Sequence, residues 1–112
     1  VASFRVLIRR RGKVEKSSFA SLDAALDALE TETRVAANTQ RPVVQRALGR
    51  SYEPEQQVAV RGELRGPGGL RAGIDVRGDG SAEAFRGVVR RRLIDAGDRE
   101  DAWSALRRAL TS

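Results

Sequence analysis

The sequence predicts a two-layer α+β domain: a mainly antiparallel sheet of about five strands, in ββα–βββα order, with two amphipathic helices on one face. Three observations carry that expectation. Segments such as SFRVLIRR and LRAGIDVR alternate apolar and charged residues with a period of two, as half-buried strands do. Glycine-containing turns separate such segments at hairpin spacing: RG at 11–12, GPGG at 66–69 and GDG at 78–80. Two other stretches, 21–37 and 98–110, repeat their apolar residues at helical intervals.

The first strand, 3–10, places Phe4, Val6 and Ile8 on one side and Arg5, Leu7 and Arg9 on the other. KVEKSSF, 13–19, returns beside it. Ser21 then suits an N-cap, with Asp23 in the first turn. Leu22, Ala25, Leu26 and Leu29 form the buried stripe of this helix, and Asp23, Asp27 and Glu30 a solvated outer face. In the middle, Pro42 at a first helical position, Val43, Val44 and Leu48 inside, and Gly49 as a stop predict a short helix. A loop around Pro54 follows.

From residue 58 the alternation resumes. Val58, Val60 and Leu64 point inward with Arg61, Glu63 and Arg65 outward; Leu70, Ala72, Ile74 and Val76 point inward with Arg71, Asp75 and Arg77 outward. SAEAFRGVVRRRLI reads as one further strand, with Phe85, Val89 and Leu93 on the inner face and Arg86, Val88, Arg90 and Arg92 on the outer. Arg10 and Arg91, each inside a triple-arginine run, would point the other way and reach water at sheet ends. Asp98 is expected to cap the last helix, which buries Trp103, Leu106 and Leu110.

A chain of 112 residues makes a single domain, 1–112, with one core. It contains neither cysteine nor histidine, the residues that most thiol, zinc and general-base chemistry requires. Asp98, Glu100 and Asp101 are explained by helix capping, and the glycine turns lack phosphate-loop spacing. The reading is therefore non-enzymatic, with no cofactor and no metal. No apolar run approaches the ~20 residues that span a bilayer, and the opening charge order reverses that of a secretory signal. A cytoplasmic protein without a membrane partner is expected. Arg77-Gly78-Asp79, which spells an adhesion tripeptide, reads as a strand end and turn.

The net charge is +6, and all cations but Lys13 and Lys16 are arginine. Arginine excess alone could follow from codon usage; sorting by face could not. With helices on one side of the sheet, the other side would collect Arg5, Arg9, Arg61, Arg65, Arg71, Arg77, Arg86, Arg90 and Arg92 against Glu63 and Asp75. Phe4, Phe85 and Trp103 fall on inward stripes, which disfavours base stacking. The expected partner is nucleic acid or another polyanion held through its phosphates. The competing reading is a homo-oligomer or protein-binding scaffold that pairs through a sheet edge.

FRVLIRRRGKVEKSSFASLDAALDALE also resembles the arm-type DNA-binding modules of tyrosine recombinases, in its strand, turn, strand and Ala-rich helix and in Phe19, Ser21 and Ala25. That family has three strands before the helix; this chain has two. The resemblance implies that sheet-face arginines such as Arg9 and Arg11 contact DNA.

Overall fold

Alternation and turn chemistry produce the expected α+β architecture, with one more strand in the main sheet than the sequence suggests. The computed structural model describes residues 3–39, 45–47, 50–52, 58–87 and 91–111. Its elements are β1 (Phe4–Arg10), β2 (Lys13–Phe19), α1 (Leu22–Thr39), β3 (Gln45–Ala47), β4 (Arg50–Tyr52), β5 (Val58–Gly66), β6 (Leu70–Arg77), β7 (Ala82–Arg86), β8 (Arg92–Leu93) and α2 (Ala102–Thr111). The main sheet has six strands in the order β2-β1-β5-β6-β7-β8, every pair antiparallel. Neither helix is long and apolar enough to cross a membrane, and no group of metal-ligating side chains occurs among the described residues.

Register fixes the two faces. Val6, Leu64 and Ala72 are cross-strand neighbours, as are Ile8, Gly62, Ile74 and Ala84, and Val60, Val76 and Ala82. These rows meet Ala25, Leu26, Leu29 and Ala36 of α1 and Leu106 of α2 in one core. α1 lies against β1, β5 and β6, and α2 against β6 and β7. Gly62 sets how closely α1 approaches: a Cβ there would lie 2.8 Å from Thr33 Cγ2 and closer still to Leu29 Cδ1. Ser21 caps α1 as expected, its Oγ accepting from the Ala24 N–H at 3.1 Å.

Four expectations are corrected. Residues 45–47, inside the expected short helix, and 50–52, beyond its expected stop at Gly49, are strands that pair with each other; Pro42, Val43, Val44, Leu48 and Gly49 lie outside the described residues. Segment 81–94 is two strands. β7 stops at Gly87, whose φ of +88° is a glycine conformation, and β8 returns so that Phe85 pairs with Leu93 and Arg86 with Arg92. The pleat is also one residue out of step with the expectation. Ala82 and Ala84 supply the helix side of β7, leaving Phe85 on the opposite face beside Gly73. Finally, α2 is capped by Asp101, whose Oδ1 accepts from the Ser104 N–H at 2.8 Å; Asp98 precedes it in a turn.

The outer acids of α1 are engaged. Arg107 of α2 reaches Asp27 at 2.6 Å and Asp23 at 3.5 Å, while Arg34 of α1 joins Glu30 at 3.0 Å to Asp101 at 2.7 Å. Arg34 also lies over the Trp103 ring, 4.3 Å from its centroid. The indole N–H of Trp103 donates to the buried Thr33 hydroxyl at 2.7 Å, and that hydroxyl donates to the Leu29 carbonyl at 2.6 Å. Thr33 is thus buried with both functions satisfied.

The Ser104 N–H and the Arg34 guanidinium hold the Asp101 carboxyl below its ordinary 3.8, against the opposing effect of burial. A depressed carboxylate stabilises the fold fully above its unfolded value and loses that contribution as pH falls through its folded value. Asp101→Asn keeps a capping side chain but loses the charge. It should cost up to about 1 kcal/mol near neutral pH, since the pair with Arg34 is partly exposed, and progressively less as pH falls through the folded-state value. Thermal melts across that range measure the convergence.

Candidate anion-binding face

The face of the sheet turned away from the helices carries β1, β5 and β6 side chains of the expected parity. Arg5, Arg65 and Arg71 are successive cross-strand neighbours, as are Arg9, Arg61 and Asp75. Arg77 also lies on this side of β6 and holds Glu83 of β7 at 2.7 Å. Six expected site residues, Arg5, Arg9, Arg61, Arg65, Arg71 and Arg77, are therefore brought together. Arg86 and Arg92 are not: their pairing with Ala72 and with each other puts them on the other side of the pleat, where both are exposed. Arg90 lies outside the described residues.

Arg91, expected at the opposite face, instead belongs to this one. Its Nη2 binds Asp75 Oδ2 at 2.5 Å, and Arg61 binds the same carboxylate through Nε at 2.7 Å and Nη2 at 3.3 Å. The Asp75 side chain is only 5% exposed. Both guanidinium groups also cover Phe85, at 4.1 Å for Arg91 and 5.8 Å for Arg61. An aromatic ring can thus be buried outside the main core, under cations attracted to its π-face. The Asp75 hydrogen bonds push the Arg61 guanidinium to still higher pKa, so it stays charged. This cluster fastens the chain after β7 to β5 and β6, and its charges are already committed to one another.

Glu63 is similarly divided, between Arg9 at 3.3 Å and Arg65 at 3.2 Å. Arg5 and Arg71, both exposed, have no ionic partner among the described residues. Three arginines therefore stand in one row across three adjacent strands about 4.8 Å apart, with a shared carboxylate touching only the middle one. The Nε of Arg65 is buried and has no hydrogen-bond acceptor. Like charges directly opposite in a sheet repel, so such a row is unfavourable unless an anion lies along it.

A second basic feature lies at the β1–β2 turn, where Arg11 and Lys13 join Arg9, Arg10 and Arg61. The sequence places Arg11 in the RG turn, where a two-residue hairpin exposes the residues at its corner whatever their parity; strand parity does not reveal that Arg10, Lys13 and Arg61 meet it there. Arg10 itself is on the helix side as expected and meets Glu32 of α1 at 3.6 Å. Only β1 and β2 precede α1, and β1 has β2 on one side and β5 on the other. Comparison with protein-family models, with curated proteins and with solved structures finds no match to this chain.

Proposed function

We propose that this chain is a cytoplasmic, non-enzymatic binding domain that takes nucleic acid or another polyanion across the arginine face of its sheet. The observation that carries the reading is the Arg5–Arg65–Arg71 row, three like charges in register with one shared carboxylate among them. Phosphates spaced along a backbone would relieve its repulsion and supply the missing acceptors. Phe85 is covered by Arg61 and Arg91, which leaves it unsuited to stacking on a base and favours backbone contact.

The test is fluorescence anisotropy of labelled duplex DNA, with single-stranded DNA and RNA alongside, at roughly 50 and 200 mM salt. Affinity should fall steeply with salt. In Arg5→Ser/Arg71→Ser, the slope of log affinity against log salt should become shallower by about two, one per lost phosphate contact. The same variant should melt no lower than the parent, since the two charges that stand directly opposite Arg65 are gone. Unchanged binding by a folded double variant would remove the face from consideration.

A second reading, a homo-oligomer joined through the sheet edge, is favoured by one observation. β2 is an edge strand of seven residues whose side chains from Lys13 to Ser18 are all exposed. Sedimentation would reveal such a dimer, and its association would be indifferent to the salt that weakens polyanion binding.

A further inference from the structure

We infer that the basin at the β1–β2 turn is a binding site for a phosphomonoester carried on a small organic group of nucleoside size. The basin has a volume of about 510 Å³ and lies between the turn and the start of β5. That volume is in the usual range of small-ligand sites, roughly 300–1,000 Å³. Its wall combines two chemistries. One part is cationic, from Arg9, Arg10, Arg11, Lys13 and Arg61, with no carboxylate among the described residues that line it; the other is aliphatic, from Val14, Val58 and Ala59.

Charge sets the headgroup. Arg9, Arg10 and Arg61 each lean on a carboxylate outside the basin, Glu63, Glu32 and Asp75 respectively. Arg11 and Lys13 have no ionic partner among the described residues. Two uncommitted positive charges match a phosphomonoester, which carries about −1.5 to −2 near neutral pH. The apolar part sets the rest of the ligand. Val14 is 44% exposed and Val58 42%, both among the few large hydrophobic residues left open to water. A bare inorganic anion would leave them so; an organic group attached to the phosphate would cover them.

The turn itself holds Arg11 where its charge is wanted and its backbone is not. Both central residues have positive φ, +47° for Arg11 and +77° for Gly12, the type I′ arrangement that matches strand twist. Asparagine followed by glycine is the favoured pair there, and arginine is a poor choice. Arg11→Asn therefore removes the charge while improving the turn. Combined with Lys13→Ser, it separates binding from folding.

Calorimetric titration at low salt with adenosine monophosphate, adenosine and inorganic phosphate is the experiment. Adenosine monophosphate should bind on the order of tenfold more tightly than inorganic phosphate, through the covered apolar surface, and adenosine should not bind detectably. Arg11→Asn/Lys13→Ser should weaken adenosine monophosphate binding tenfold or more, with a melting temperature equal to or above the parent's. The proposal is overturned by no binding of adenosine monophosphate at millimolar concentration, by equal binding of inorganic phosphate, or by unchanged binding in the double variant. It stands apart from the polyanion reading: Arg5→Ser/Arg71→Ser leaves this basin intact and should keep adenosine monophosphate affinity within twofold, so either site can fail alone.

Discussion

Gly73→Val is expected to cost more than about 3 kcal/mol, enough to leave much of the protein unfolded at room temperature. A Cβ at this position would enter the shell of the Gly62 carbonyl oxygen and lie 2.6 Å from Phe85 Cζ. The ring cannot retreat freely, because Arg91 and Arg61 lie over it. Backbone on one side and a covered aromatic on the other leave no room for ordinary side-chain adjustment. Chemical denaturation measures the loss. A Phe85→Leu change in the Gly73→Val background should restore only part of the stability, since the carbonyl contact remains. Full rescue would mean that the ring alone excludes a side chain at 73.

Asp75→Ala is expected to cost about 2–4 kcal/mol. The carboxylate is 5% exposed and accepts from both Arg61 and Arg91. Without it, two guanidinium groups remain close together over Phe85 with no anion between them. The arginines are each about a third exposed, so water relieves part of the repulsion and keeps the loss below that of a fully buried orphan charge. Arg91→Ala should cost less than Asp75→Ala, because Arg61 retains its two-point contact with the carboxylate. If the order is reversed, cover of Phe85 rather than charge pairing is what the cluster supplies.

Much of this arrangement could be read from residue order alone. Val6 and Ile8, Val60 and Leu64, and Ala72, Ile74 and Val76 alternate against charged neighbours, and each of them is buried on the helix side. β7 was misread because hydrophobic size and direction disagree there. Phe85 is its largest apolar residue, yet the smaller Ala84 faces α2, and cations supply the ring with a cover that no periodicity reveals. The break between β7 and β8 is hidden for a similar reason: Gly87 stands inside a stretch that mixes apolar residues and arginines as a strand would, where it looks like a weak strand residue rather than a corner. Within the candidate face, strand parity predicts the arginines of β1, β5 and β6 and fails from β7 onward. The cap of α2 was placed one turn early because Asp98 and Asp101 have the same capping chemistry, and only backbone geometry chooses between them.

The strand order has a consequence for how the molecule assembles. β5 to α2 form a meander in which each strand pairs with the next in sequence, so these contacts close over short loops. β1, β2 and α1 are a separate local unit that joins the meander along the β1–β5 seam. Arg5 belongs to the first unit, Arg65 and Arg71 to the second. Their row exists only after the seam has closed, and its mutual repulsion acts against closing. An anion spanning Arg5 and Arg65 would clip the two units together, with a stabilisation that grows with ligand concentration over its dissociation constant. Ligand would then slow hydrogen exchange first along β1, ahead of the amides of β6 and β7.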